Sequence, residues 1–474
     1  MMHDSWLAIL PHLLLAGGAV SVYLCGAFRP GNQGLLFALS LAALVLAIAA
    51  AAAVTPAMAV ATGLLDTGAF SRFYLLLLLA VCLGALLLLQ RYAHLRRLSG
   101  EVLYGTLLLA ALGMIGIAGA SHWLVFFVSF ELLSLSLYIL IAIRRDQPLA
   151  YEAGIKYFVM GAVASSFLVF GLGLLYAATG TLAIAPSLAA LAAKEDMVLS
   201  LPAFLLILAG LGFKISLVPF HLWTPDVYEG APAPVTALLA TGSKLAVIGA
   251  LVRFFYAVPA MPQSLLAVLW LLAAATMLIG NLTALVQEKV KRMLAYSSIA
   301  HMGYMLMALL AGGQQGFTAV LFYSAVYGLM DLGAFGSLGL MSPKLRDLND
   351  LQDFQALGYR RPWSAALLTL SLITLAGLPP TGGFFGKFLL FTAAFQAGFP
   401  WLAGIGLLSA LVSIFYYQKV VVSMYLRDGR KTGRRVAVDW AGVVACSVIF
   451  ALILWLGILP AYLLSVVERA LSLN

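Results

Sequence analysis

Apolar residues run through this chain in long blocks separated by short polar, Gly or Pro breaks. The blocks fall at roughly 6–26, 35–54, 73–90, 102–118, 122–143, 155–178, 200–220, 232–256, 264–286, 293–311, 316–341, 363–396, 401–426 and 438–467. A helix that crosses the hydrocarbon core needs about 20 mainly apolar residues. The pattern therefore predicts an all-α polytopic membrane protein of about fourteen transmembrane helices, with the shortest connections on either side of the tenth. The opening Met-Met-His-Asp-Ser has neither the basic n-region nor the cleavage site of a removable signal, so the first block is expected to be a retained helix.

Composition agrees with the pattern. Of 474 residues, 63% are hydrophobic and 9% charged, against about 45–50% and about 25% in soluble domains. So few charges cannot cover a soluble surface, and a disordered chain would be polar and highly charged. The net charge of +9 is spread over short loops instead of being gathered on one face, so it does not point to nucleic acid. Cys25, Cys82 and Cys446 sit far apart in apolar blocks and read as small buried hydrophobes, not as metal or cluster ligands.

Loop charge fixes an expected direction. The loops after odd-numbered helices hold Arg29, Arg91, Arg96, Arg97, Arg144, Arg145, Lys289, Lys291, Arg292, Lys344, Arg346, Arg360, Arg361, Arg427, Arg430, Lys431, Arg434 and Arg435. The opposite side holds Arg72, Lys194 and Arg469, a split of 18 to 3. Basic loops stay in the cytoplasm, which predicts a multi-pass membrane protein with both termini on the outer side.

Six basic residues remain inside the blocks: Lys156, Lys214, Lys244, Arg253, Lys387 and Lys419. Among the acids, Glu131 and Asp331 fall well inside. Each charge at the bilayer centre costs roughly 2.5–3.5 kcal/mol on insertion scales. Lys156 and Arg253 lie near helix ends, where a long side chain reaches the interface, and Lys156 can pair with Glu152 one turn earlier. Lys419 lies deeper, and either completes a polar path or pairs with a carboxylate. Glu131, Lys214, Lys244 and Lys387 are out of reach of both interfaces, and together would cost on the order of 10 kcal/mol as isolated ions. They must pair, hydrate or change protonation state.

Two blocks carry internal breaks. The seventh reads GLGFKISLVPFHLWTP, with Lys214 five residues before Pro219, and the twelfth reads LAGLPPTGGFFGKF, with Lys387 seven residues after Pro380. Proline leaves a helix carbonyl unsatisfied, which hydrocarbon tolerates only beside protein or water. The breaks occupy the fourth place in two five-helix units, helices 4–8 (residues 101–256) and 9–13 (257–430), of opposite direction. Helices 1–3 (1–100) precede them and helix 14 (431–474) follows. Inverted repeats with interrupted helices at the midplane are a transporter pattern. His221, after the first break, and His301, one turn from Tyr304, lie on the same polar axis as relay or packing residues.

The stretches GLGFKISLVPFHLWTPDVYEGAPAPVTALLATGSKLAVIGALVR, NLTALVQEKVKRMLAYSSIAHMGY and LAGLPPTGGFFGKF resemble the antiporter-like proton-pumping subunits of respiratory complex I. Within that family the long HLWTPDVYEGAPAPV run is most similar to the subunit N branch of bacterial NADH-quinone oxidoreductase, the subunit 2 type of mitochondria. The resemblance covers nearly the whole chain, and its end at the fourteenth helix leaves no expected room for the long lateral helix of subunit L. It implies that Glu131 is the helix-5 glutamate, Lys214 the helix-7 lysine, Lys244 the central helix-8 lysine and Lys387 the helix-12 lysine on the exit side. Subunit M resembles this pattern with a glutamate at the last place. Asp331 departs from the family, which is uncharged there, and is either a counter-ion for Lys387 or a protonated acid.

The resemblance further implies proton translocation without a redox centre on this chain. NADH, FMN, iron–sulfur clusters and quinone would belong to partner subunits of the complex, and other antiporter-like subunits would flank this one in the membrane arm. Burial disfavours a charged lysine and a nearby carboxylate restores it, so a moving Glu131 could load and unload Lys214. An Mrp-type cation/proton antiporter subunit is the alternative. A sodium path needs carboxylate and carbonyl oxygens, whereas this buried set is dominated by lysines.

Overall fold

The computed structural model describes residues 2–29, 31–53, 63–193, 197–258, 261–425 and 440–472. The basic loop residues Arg427, Arg430, Lys431, Arg434 and Arg435, and Lys194 opposite, lie outside the described residues. The first half comprises α1 (Met2–Phe28), α2 (Gln33–Ala53), α3 (Ala69–Arg96), α4 (Gly100–Gly119), α5 (Trp123–Ile141), α6 (Pro148–Thr179), α7 (Ile184–Ala193), α8 (Met197–Ile215), α9 (Trp223–Gly230), α10 (Ala233–Leu238) and α11 (Lys244–Ala257). The second half comprises α12 (Gln263–Leu285), α13 (Val290–Ala311), α14 (Gly313–Met341), α15 (Leu357–Arg360), α16 (Pro362–Ala376), α17 (Gly382–Gln396), α18 (Pro400–Tyr425), α19 (Trp440–Ile458) and α20 (Pro460–Ser472).

Thirteen helices among the described residues are long and apolar enough to cross a bilayer, with α10 and α11 counted as one. The twelfth block is the exception, because it folds as two half-helices, α16 and α17, on either side of its break. The crossings therefore follow the hydropathy pattern, but three details depart from it. A short helix, α7, fills the connection after α6. The last block divides at Pro460 into the span α19 and the short α20, whose Val467, Ala470 and Leu471 are buried. The eighth crossing contains a π-helical turn, Leu239–Ser243, immediately before Lys244.

The crossings form an inner set and an outer set. The α10–α11 crossing, α13 and α14 are almost wholly enclosed by protein, whereas α1, α2, α6, α12, α18 and α19 are mostly open. The outer helices turn large apolar side chains outward, among them Leu46, Phe170, Leu271 and Phe415, which is the lipid-facing surface of a membrane protein. Apolar surface gains nothing by leaving one hydrocarbon for another, so close van der Waals packing must hold the helices together. Small residues permit it. Opposite Ala300 of α13, a Cβ on Gly280 of α12 would lie 2.7 Å from the Ala300 nitrogen, and a Cβ on Gly303 would lie 2.9 Å from the Met277 nitrogen.

Candidate functional site

A line of polar groups runs from α5 and α6 into the inner helices, beginning at Glu131, which is only half-buried, and continuing through fully buried side chains. At one end, α5 carries Glu131 and Ser134 one turn apart. Ser165 of α6 donates a hydrogen bond to the Glu131 carboxylate. Lys214, buried in the last turn of α8, donates to Ser134 Oγ at 2.8 Å, with its ammonium 5.0 Å from the Phe130 ring and 5.4 Å from the Tyr157 ring. Glu131 and Lys214 thus meet the same helix turn without forming an ion pair.

The break beside Lys214 spans residues 216–222, opening at Ser216 with φ 63°. Its freed backbone groups find partners: the Phe213 carbonyl accepts from the Trp223 indole at 2.9 Å, and the Val218 N–H donates to Thr276 Oγ1 at 3.1 Å. These bonds allow an opened helix to persist at depth. His221 lies in the break, buried, with Nδ1 unpartnered.

From Lys214 the line continues along a run of tilted and edge-to-face aromatic rings. Tyr157 lies 4.6 Å from Trp223, and Trp223 lies 6.2 Å from Tyr228. Lys244 sits 5.4 Å from the Tyr228 ring and donates to Ser298 Oγ of α13 at 2.7 Å. Ser298 is hydrogen-bonded to Tyr327 of α14 at 2.7 Å, and Tyr327 donates to the Ala240 carbonyl at 3.2 Å, within the π turn. A π turn displaces the backbone ladder, and here it presents a carbonyl to the hydroxyl beside Lys244.

His301 is fully enclosed. Its Nδ1 is 2.6 Å from the Tyr323 hydroxyl and its Nε2 3.3 Å from that of Tyr417, and its ring stands 5.7 Å from Tyr327 and 5.5 Å from Tyr304. The Tyr304 ring in turn lies 5.5 Å from the Lys387 ammonium. Lys387 donates to the Leu375 carbonyl at 2.7 Å and the Ala376 carbonyl at 3.0 Å, the last two of α16. Gly377, at φ +79°, ends that half-helix. A Cβ on Gly383 would strike the Thr374 carbonyl, so only glycine lets α17 start so close to α16.

Asp331 is completely buried on α14 and neither carboxylate oxygen has a hydrogen-bond partner. The expected option of a counter-ion for Lys387 is not what the geometry forms: Lys387 is held by carbonyls, and the cation that interacts electrostatically with Asp331 is Lys244.

The remaining basic candidates are bound elsewhere. Arg253 pairs with Asp66 at 2.9 Å. Lys419 is exposed and donates to the Leu285 carbonyl at 2.6 Å, closing the end of α12, with neither a carboxylate nor the buried line in reach. Lys156 pairs with Glu152 at 2.7 Å and Asp226 at 2.9 Å. Asp226 also pairs with Arg292 at 2.6 Å, and Glu229 with Lys289 at 2.5 Å and Arg292 at 3.1 Å. Burial pushes the Asp226 and Glu229 carboxyls up, but these cations outweigh it and hold both below the usual carboxylate range. Beside them is a cavity of about 300 Å³ lined by Tyr92, Arg144, Glu229, Lys289, Lys291 and Asp347, among others. Asp347 accepts from Arg96 at 2.9 Å, Tyr92 at 2.9 Å, Lys291 at 3.4 Å and the Ala233 N–H at 2.8 Å. Burial pushes its carboxyl up, and Lys291 and Arg96 bring it below the ordinary value. Among the described residues no group of three or more His, Cys, Asp or Glu is placed to hold a metal.

Residues 120–413 match the family described as NADH:quinone oxidoreductase/Mrp antiporter, TM. The chain is similar to NADH-quinone oxidoreductase subunit N 1 of Solidesulfovibrio magneticus, at 44% identity over 97% of each chain. It is similar also to NADH-quinone oxidoreductase subunit N of Geotalea uraniireducens, at 41% identity over 99% of each. The chain belongs to the NADH-quinone oxidoreductase subunit N family. Its fold matches a chain of respiratory complex I from Thermus thermophilus with bound aureothin, at 35% identity and TM-score 0.83 over 96% of this chain and 98% of that one. It also matches a chain of the Mrp complex from Dietzia, at 22% identity and TM-score 0.86 over 100% and 97%, a likeness of fold alone.

In this subunit N family member, the groups that sequence reasoning passed over are neutral hydroxyls and the acids of α9. Ser134, Ser165, Ser298, Tyr323, Tyr327 and Tyr417 cost little inside an apolar block, so hydropathy is silent about them. Spacing holds a signal: Tyr323, Tyr327 and Asp331 recur every four residues, and Ser297, Ser298, His301 and Tyr304 share one face of α13. Asp226 and Glu229 lay in the motif that carried the resemblance, unassigned.

Proposed function

We propose that this chain is a membrane-arm subunit of NADH-quinone oxidoreductase that moves protons across a bacterial inner membrane through Glu131, Lys214, Lys244, His301 and Lys387. Electron transfer from NADH to quinone, with its FMN and iron–sulfur clusters, takes place on partner subunits, and neighbouring antiporter-like subunits flank it in the bilayer. The observation that carries this reading is the state of the three central lysines. Each is buried and donates to a neutral oxygen, of Ser134, of Ser298 or of the α16 carbonyls. The lysines that do form ion pairs, Lys156, Lys289 and Lys291, are at helix ends or in the polar cluster. A lysine held by a hydroxyl can carry or yield its proton with little change of geometry, because a hydroxyl both accepts and donates.

Burial disfavours the charged lysine and an approaching carboxylate favours it, so movement of Glu131 toward Lys214 loads it and withdrawal unloads it. Driving one charge against about 180 mV requires roughly 4 kcal/mol. The proton then passes to Lys244, through Ser298 and the tyrosines around His301, and leaves at Lys387. Residues 101–256 and 257–430 act as two inverted five-helix units, a reading supported by the breaks at α8–α9 and α16–α17. The 18-to-3 split of basic residues supports termini on the periplasmic side. Lys156 and Lys419 are peripheral to the path, as their partners lie outside the buried line, and His221 is not hydrogen-bonded into it through Nδ1.

The test is Lys214→Ala in the whole complex, with NADH:quinone activity and acidification measured in inverted membrane vesicles. The expected outcome is an assembled complex that has lost most pumping attributable to this subunit. Full activity with normal pumping refutes the relay, and sodium-dependent acidification would favour a cation antiporter instead.

A further inference from the structure

Along α14, Tyr323, Tyr327 and Asp331 stand four residues apart and share a face. The first two serve the buried line: Tyr323 meets His301, and Tyr327 meets Ser298, which holds Lys244. Asp331 is the next member of the stripe and fully enclosed; neither oxygen has a donor in full hydrogen-bond geometry, and the hydroxyl that acts on it is that of Tyr327, one turn before it. The groups that act on it electrostatically are Lys244 at the head of α11, Tyr228 of α9, Tyr323 and Tyr327 of its own helix, and Tyr417 of α18. On the opposite sides α14 meets uncharged residues: Leu88 of α3 against Gly336, and Ser371 of α16 and Ile449 of α19 against Gly333.

An unpaired carboxylate in such a place is prohibitively costly, and so is an unpaired ammonium. Two arrangements avoid both costs. Either Asp331 is a neutral acid beside a neutral Lys244, or it is a carboxylate beside an ammonium. They contain the same number of protons and differ only in where one of them sits.

Building on the relay reading, we infer that Asp331 is a second proton-holding group at the centre of the path, sharing one exchangeable proton with Lys244 by way of Tyr327 and Ser298. In the exchange the Asp331 O–H bond breaks and an N–H bond forms on Lys244 Nζ. The Tyr327 and Ser298 hydroxyls each give one proton and take one, so they end unchanged. The pair is neutral overall wherever the shared proton sits. A transported proton arriving from Lys214 makes it +1, and that uncompensated charge drives release toward His301.

The experiment uses the assembled complex with Asp331→Asn, Asp331→Glu and Lys244→Ala, compared with Lys214→Ala. Redox-induced infrared difference spectra in H₂O and D₂O should contain a carboxylic-acid C=O band that shifts on deuteration. It should vanish in Asp331→Asn and reappear displaced in Asp331→Glu. Protons pumped per NADH should fall several-fold in Asp331→Asn and recover in Asp331→Glu, which a merely space-filling role would not produce. If Lys214→Ala and Lys244→Ala abolish pumping while Asp331→Asn keeps wild-type pumping and the band, this inference is overturned and the relay stands. If the lysine variants also pump normally, the relay itself is refuted. Should Asp331→Asn fail to assemble, the Asp331→Glu spectrum decides: a displaced band supports the inference and an unmoved one overturns it.

Discussion

Replacing Lys387 by Met tests how the second half-helix pair is held. The ammonium donates to the Leu375 and Ala376 carbonyls at 2.7 and 3.0 Å, and methionine keeps an unbranched side chain, one atom shorter, without a donor. Two buried carbonyls left unpartnered cost about 1–3 kcal/mol each, so roughly 2–6 kcal/mol in all. Against this, the variant no longer buries an ammonium, whose effective desolvation penalty is several kcal/mol. The two terms are of similar size, so the expected change in stability is small while pumping is lost, because the exit-side proton carrier is gone. Since Asp331 shares no partner with Lys387, Lys387→Met and Asp331→Asn should add independently, to within about 0.5 kcal/mol. The assay is the apparent unfolding temperature of the detergent-solubilised complex for the two single variants and the double, with vesicle acidification alongside. If Lys387→Met is strongly destabilising and Asp331→Asn rescues it, the two residues form a buried pair and the carbonyl-cap account is wrong.

At the other end of the path, Glu131→Ala should impair pumping strongly and Glu131→Asp partly, measured as acidification per NADH oxidised; a Glu131→Gln variant that pumps like wild type would reduce the carboxylate to a hydrogen-bond partner for Ser165. Gly383→Ala should prevent normal assembly on a native gel, since its Cβ meets the Thr374 carbonyl, whereas Gly404→Ala, with nothing within 4 Å, should assemble; equal assembly of both would refute the close-approach argument. For Asp347 the folded carboxyl is held below the unfolded value of about 3.9, so its stabilisation is present above that pH and disappears as pH falls through the lowered folded value. Asp347→Asn should therefore be less stable than wild type near neutrality, with the gap closing in acid, and a gap that is independent of pH would exclude the charge as its origin.

Much of this molecule is decided by a one-dimensional property. The energy of placing a residue in hydrocarbon depends mainly on its own side chain, so the crossings, the two broken helices and the isolation of Glu131, Lys214, Lys244 and Lys387 are legible in the sequence alone. Partners are not. Whether Lys214 meets Glu131 or Ser134 depends on how α5 is rotated against α8, and the two candidates are separated by one turn of the same helix. Asp331 reads from the sequence as a counter-ion for Lys387 or a protonated acid, and only the packing of α14 brings it to Lys244 instead. The π turn before Lys244, the split at Pro460 and the hydroxyl chain through Ser298, Tyr327 and His301 carry almost no hydropathic cost. Their places are therefore set by how the helices pack, which only the tertiary structure decides.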